Sequence, residues 1–283
     1  MDYDASKDAL YHPEFRDTIF KSGVPLPPEL MCAELSRLAY IRFENSDADE
    51  QRLQAALGSG GLRPAVTFST RRSSTQGFAV VSTDGQDAFV VFRGTQADDP
   101  TDIGTDAEVL LTDWDGSGRV HTGFARALDS VWASVQAWLA TRPAGRLWFT
   151  GHSLGAALAT LAVARAGVQN AALVTFGSPR VGDQAFADSF AARAVKRYVD
   201  CCDIVTQVPP EQVLGYRHVS PEAYIDRSGL LHGVGAVSGV DIEIDRASAK
   251  LQYLAEHAWR TGEVGSRSLA DHAPINYIRA LLR

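Results

Sequence analysis

Gly151-His152-Ser153-Leu154-Gly155 fits G-x-S-x-G, a spacing that can present a serine hydroxyl for nucleophilic attack. Five residues are short enough to recur by chance, so the flanks decide the matter. A nucleophile elbow needs a strand leading in, a sharp turn, and a helix leading out. Leu147–Thr150 supplies an apolar strand, and Ala156, Ala157 and Ala159 supply a slim helix start. A serine hydroxyl is a weak nucleophile until a base takes its proton and a third group fixes that base. Four histidines follow Ser153: His218, His232, His257 and His272. His257 falls within a helical run and His232 in a Gly-rich stretch, where both read as solvated or hydrogen-bonded. His272 stands in Asp271-His272-Ala273-Pro274, a loop just before the last helix, which suits a base carried on a rigid frame. Asp200 and Asp203 both follow the run Val195–Val199. Asp200 is read as capping that strand. Asp203, farther along a loop running into Pro209-Pro210, is preferred as the acid.

The elements that must hold these residues alternate. Helices are expected over Glu29–Ile41, Ala48–Leu57, Leu154–Ala166, Asp183–Ala194, Ala247–Arg260 and Pro274–Leu282. Another is marked by Phe124, Leu128, Val131, Val135, Trp138 and Leu139, which recur on one face. Strands are expected at Gly77–Thr83 and Asp87–Phe92, joined through Asp84-Gly85, and at Leu147–Thr150, Ala171–Phe176 and Val195–Val199. Strand–helix alternation means βαβ units, hence a mostly parallel mixed sheet with helices on both faces and an antiparallel edge. The chain is expected to be a single domain over residues 1–283, with residues 1–60 a helical segment packed on it.

Six segments, in order over about residues 78–278, resemble the class 3, or fungal-type, lipase family of the α/β-hydrolase fold. Phe92-Arg93-Gly94-Thr95 resembles its F-R-G-[ST] segment and Val120–Phe124 its V-H-x-G-F. Thr150–Gly155 is similar to the T-G-H-S-L-G elbow, and Phe176–Gly182 to F-G-x-P-R-V-G. Asp203-Ile204-Val205 with Pro209 resembles D-x-V-x-x-x-P, and Asp271–Tyr277 the D-H-x-x-Y end. The resemblance implies a triad of Ser153, Asp203 and His272, with Thr95 and Leu154 at the oxyanion positions. It implies a serine carboxylic-ester hydrolase that needs neither cofactor nor metal. Phospholipase A1 and feruloyl-type esterase are the alternatives within that chemistry, and a non-catalytic binding module the one outside it. His121, His152, Arg93 and Arg180 are read as structural hydrogen-bonders and loop braces.

Composition narrows the partners. The 283 residues carry 27 basic and 34 acidic side chains, a net charge of −7, and no basic stripe, which argues against nucleic acid. Three cysteines make no disulfide framework and no metal-ligand spacing. Asp113–Gly118 lacks the closing glutamate of a calcium loop and is read as a turn, and Gly58–Gly61 has no lysine for a phosphate loop. No apolar run reaches the roughly 20 residues of a membrane span. The expected substrate is a small-molecule or lipid ester, with at most peripheral contact with a lipid surface. The expected location is cytoplasmic, or secreted if a leader has been removed.

One segment departs from the resemblance. In the family the stretch after F-R-G-[ST] forms a lid, usually with bulky apolar residues in members acting at oil–water interfaces. Here Asp98–Asp106 has Ile103 as its only large hydrophobe, and Asp98–Asp115 carries seven acids and no Lys or Arg. That polarity is similar to feruloyl-esterase-like members and predicts little interfacial activation.

Overall fold

A computed structural model describes residues 2–70, 75–94, 110–141 and 145–283. Three helices come first: α1 (Lys7–Tyr11), α2 (Pro28–Leu38) and α3 (Asp47–Ser59). β1 (Val66–Thr70), β2 (Thr75–Val81) and β3 (Asp87–Phe92) follow, then a small ribbon of β4 (Leu111–Asp113) and β5 (Arg119–His121). Next are α4 (Thr122–Thr141), β6 (Arg146–His152), α5 (Leu154–Ala166), β7 (Ala172–Phe176), α6 (Gln184–Asp188) and β8 (Ala194–Asp200). The last elements are α7 (Glu211–Leu214), β9 (Glu222–Ile225), β10 (Leu231–Val234), α8 (Gly239–Glu256), α9 (Arg267–Ala270) and α10 (Pro274–Leu281).

Eight strands form one sheet in the order β1-β2-β3-β6-β7-β8-β9-β10. The five from β3 to β9 run parallel, with antiparallel partners at both edges. Side chains alternate across the sheet, as a strand's period of two requires. Phe89, Val91, Trp148, Val174 and Tyr198 join the core shared with α2 and α10, whereas Val90, Phe92, Phe149 and Leu173 join the core under α4 and α5. β3 and β7, apart from Asp87 and Thr175, are apolar because both faces of the sheet are covered there. Among the described residues no helix is long and apolar enough to cross a membrane.

Several expectations need correction. Asp183 does cap a helix, accepting from the Phe186 N–H at 3.0 Å. That helix is five residues long, not twelve, because Ser189, Phe190 and Ala191 bond three residues back and so wind into turns. The helix expected from Ala247 begins at Gly239, capped by Ser238. β1, β9 and β10 were not anticipated: each is short, and β1 is half polar. Of Asp113–Gly118, Asp113 ends β4 and residues 114–118 connect it to β5.

α2 is fixed by a fully buried ion pair. Arg37 donates to Glu34 at 2.8 and 2.5 Å and to the carbonyls of Pro13 and Arg16 at 2.8 and 3.0 Å. Glu34 also accepts from Thr18 Oγ1 and the Ile19 N–H, so residues 13–19 are tied to the helix. Removing one partner strands the other charge, which costs about 3–5 kcal/mol. Glu34→Ala should therefore lower the urea-unfolding free energy by about that amount, whereas Glu34→Met with Arg37→Leu should recover most of it. Equal losses in the two variants would contradict this role for the pair.

Candidate active site

Ser153 lies between β6 and α5 with φ 59° and ψ −130°, the only positive φ outside glycine among the described residues. Such a conformation costs on the order of 1–3 kcal/mol in a non-glycine residue and persists only where its surroundings enforce it. Here the Ser153 N–H donates to the Phe176 carbonyl at 3.0 Å, which locks the turn to the end of β7. The neighbouring glycines allow close approach. A Cβ on Gly155 would stand 2.2 Å from the Phe92 carbonyl oxygen, and one on Gly94 would stand 2.8 Å from that of His152. The segment leaving β3 is thereby pressed against the elbow.

Ser153, Asp203 and His272 all lie at the carboxyl edge of the parallel strands, where this architecture gathers ligand-binding loops. His272 comes from the bend between α9 and α10, and Asp203 from the loop after β8. His272 Nε2 lies 2.9 Å from Ser153 Oγ, and Nδ1 lies 2.9 Å from each Asp203 oxygen. With the carboxylate at Nδ1, that nitrogen carries the proton and Nε2 accepts from the serine hydroxyl. All three residues are buried. Asp203 also accepts from the Val205 N–H at 2.9 Å and from Tyr277 Oη at 2.5 Å. Three donors, the shared Nδ1–H among them, fix the orientation of the carboxylate.

Asp200 differs. It closes β8 with its backbone N–H on Tyr277 Oη at 3.1 Å, but neither side-chain oxygen has a hydrogen-bond partner. It therefore caps nothing. Burial, together with the nearby Asp271 carboxylate, pushes its pKa well above the usual carboxylate range. Asp271 has partners: Tyr3 Oη at 2.8 Å, the Cys202 N–H at 2.9 Å and Arg267 Nε at 2.6 Å. Burial raises the Asp271 pKa too, but Arg267 and these donated bonds oppose the rise, whereas Asp200 has no such bonds.

His152 supports the base from behind. Its Nε2 donates to the His272 carbonyl at 2.7 Å, leaving Nδ1 to accept from Tyr40 Oη at 2.8 Å. Burial and the adjacent His272 hold its pKa well below the usual value, so the ring stays neutral. Sequence reasoning placed His152 as a hydrogen-bonder but assigned nothing to Tyr40 or Tyr277. Tyr277 closes the D-H-x-x-Y segment, which was the available signal. Tyr40 had none.

Arg93 forms a double contact with Glu44 at 3.0 and 2.6 Å, and Arg180 donates to the Pro209 carbonyl at 3.0 Å. His121 accepts the Gly123 N–H at 3.1 Å. His232 contacts Asp226 and His257 contacts Glu263, both remote from Ser153 in their bonding. Leu154 opens α5, so its N–H is one of the helix donors without an intrahelical acceptor. Thr95 and the segment Asp98–Asp106 lie outside the described residues. Cys201, Cys202 and Asp271 form the one cluster of possible metal ligands among the described residues, but Arg267 already occupies the cation's place beside Asp271. A cavity of about 330 Å³ lined by Val24, Leu26, Met31, Leu62 and Phe89 reaches Asp87, at the opposite end of β3 from the elbow, and touches no triad residue.

Residues 89–213 match the family model described as "Lipase (class 3)". A secreted mono- and diacylglycerol lipase 1 of Fusarium solani is 41% identical over 115 residues, 38% of this chain and 34% of that protein. A lipase of Rhizopus niveus is 32% identical over 175 residues, 56% of this chain and 44% of its own length. The chain thus spans a third to less than half of the curated relatives it matches. A solved lipase from Rhizopus microsporus var. chinensis superposes with a TM-score of 0.58 at 27% identity, covering 74% of this chain and 85% of that one. The shared architecture is the α/β-hydrolase fold.

Proposed function

We propose that this chain, whose residues 89–213 match the class 3 lipase model, is a serine carboxylic-ester hydrolase acting on acyl esters of glycerol through an acyl-enzyme. The observation that carries this reading is the continuous relay from Ser153 Oγ through His272 to Asp203, each contact at 2.9 Å. Ser153 Oγ attacks the ester carbonyl while His272 Nε2 takes its proton. Asp203 holds the imidazole in the correct tautomer and stabilises the imidazolium. The tetrahedral oxyanion is assigned to the Leu154 N–H and, from the resemblance of Phe92-Arg93-Gly94-Thr95 to the family's F-R-G-[ST] segment, to Thr95. The C–O bond then breaks, and His272 gives its proton to the leaving alcohol. Water, deprotonated by the same imidazole, attacks the acyl-enzyme and frees the acid and the serine.

The Fusarium relative is named as secreted, which favours the second of the two expected locations. Substrate choice follows from Asp98–Asp106. Opening a lid at an oil surface gains about 25 cal/mol per Å² of apolar area removed from water, so Ile103 alone contributes about 2–3 kcal/mol. Nearby carboxylates lose hydration there and oppose that gain. Turnover of p-nitrophenyl esters from acetate to palmitate should favour the short, soluble ones. Activity on tributyrin should rise smoothly through its solubility limit. A sharp, many-fold jump at that limit would contradict this substrate reading in favour of a long-chain lipase.

A further inference from the structure

Asp203 and His272 stand 69 positions apart and arrive on different elements, the first after the turn that leaves β8 and the second in the bend between α9 and α10. Catalytic groups must be held within about 0.5 Å of their productive geometry, so these two turns need a fixed register. One buried side chain joins them. Asp271 immediately precedes His272, and its Oδ2 accepts at 2.9 Å the N–H of Cys202, which immediately precedes Asp203. Acid and base are thus tied by a second bridge, one residue removed from the first on each side. Asp271 and Cys202 are both fully buried, so the Cys202 N–H depends on this acceptor.

The other oxygen fixes Asp271 itself. Oδ1 accepts from Arg267 Nε, one helical turn back, at 2.6 Å and from Tyr3 Oη at 2.8 Å. The guanidinium groups of Arg267 and Arg279 lie 4.4 and 5.1 Å from the Tyr3 ring. The chain around Tyr3 is held to the same bend. The Asp4 N–H donates to Asn276 Oδ1 at 3.0 Å, while Asn276 Nδ2 donates to the carbonyls of Asp4 at 2.9 Å and Ala270 at 3.0 Å. A side chain needed only to balance Arg267 would have no call to reach the turn of the acid. Nor could an amide replace it, because its NH2 would face either the Cys202 N–H or the Arg267–Tyr3 pair.

We infer that Asp271 is a positioning residue for ester hydrolysis, setting the Asp203–His272 distance through Cys202, with Tyr3 and Arg267 holding it in place. It touches no reacting atom, and its role rests on the ester-hydrolase reading of the triad. Its loss should lower kcat and spare KM. A misplacement of about 1 Å in the triad costs on the order of 10²-fold in rate, whereas the contacts that bind substrate are untouched.

In the full chain, Asp271→Asn should lower kcat for p-nitrophenyl butyrate by about 10²-fold, with KM within about two-fold of wild type. Tyr3→Phe keeps the ring beside both arginines and removes one donor to Asp271, so kcat should fall only several-fold. Proton NMR without substrate reads the geometry. A proton shared between an imidazole nitrogen and a carboxylate resonates far downfield of the amides, and here it is identified by its absence from His272→Ala. In Asp271→Asn that resonance should move upfield and broaden as the Asp203–His272 bond lengthens. In Tyr3→Phe it should move less, in the same sense. Glu34→Ala weakens the fold, but Glu34 bonds to neither turn, so both its resonance and its kcat should match wild type. A wild-type resonance or a wild-type kcat in folded Asp271→Asn overturns the inference. Should that variant not fold, Tyr3→Phe decides, and wild-type values there overturn it. An equal loss in Glu34→Ala also overturns it, because the effect would then be a general loosening. A chain that shows the resonance without turnover contradicts the ester-hydrolase reading, and the bridge is then judged by the resonance alone.

Discussion

Ser153→Ala is expected to lower kcat by a factor of about 10⁶ without loss of the folded state, because the hydroxyl is the one atom that forms the acyl-enzyme. His272→Ala should cost nearly as much. Its Nε2 is the only group in the described site placed to take the Ser153 proton, at 2.9 Å. Triad members act as a unit, so the double variant should be little worse than either single one. Ser153→Gly separates chemistry from strain. It should be as inactive as the alanine variant yet unfold at a higher temperature, because glycine accepts φ 59° without the steric cost that serine and alanine share. An alanine variant retaining a tenth of the activity would move the nucleophile elsewhere.

The two aspartates should behave oppositely. Asp203→Asn presents an amide to His272 Nδ1, which favours the tautomer unable to receive the serine proton, and kcat should fall by about 10⁴. Asp200→Asn should leave activity within a few-fold of wild type, since neither carboxyl oxygen bonds to the relay. Its effect belongs to stability. Asp200 keeps its proton in the folded state above the ordinary carboxylate pKa of 3.8, whereas the unfolded chain loses it there. The folded state then binds more protons than the unfolded one, so its share of stability falls as pH rises above about 4. Asparagine removes that slope, and the variant's advantage in chemical denaturation should grow from pH 4 toward neutrality. Loss of activity in Asp200→Asn with activity kept in Asp203→Asn would reverse the assignment of the acid.

Some of this arrangement is legible in the chain and some is not. The helix Leu154–Ala166 is read to the residue because an Ala- and Leu-rich run continues until Gly167, which ends it at φ 62°. The central parallel strands β3, β6 and β7 announce themselves because both their faces are buried and their runs are mostly apolar. β9 and β10 give four-residue signals that no periodicity can resolve, and the helix after Asp183 reads too long because its turns keep helical composition. The triad candidates are readable because chain order and loop position are properties of sequence. Their supports are not. Tyr277 finds Asp203 across 74 positions and Tyr40 finds His152 across 112, and only packing decides such pairings. Asp200 shows the same limit: three residues from Asp203, it ends in a pocket that leaves it unpartnered and protonated.

Labelling with a fluorophosphonate tests the central claim most directly, because only a serine whose proton is removed by a neighbouring base displaces fluoride and keeps the phosphonyl group. The wild-type chain should take up one equivalent, mapped by mass spectrometry to the peptide carrying Ser153, with esterase activity lost in parallel. Ser153→Ala and His272→Ala should remain unlabelled over the same time. A folded wild-type chain that stays unlabelled, or a label that settles on another serine, would contradict the account.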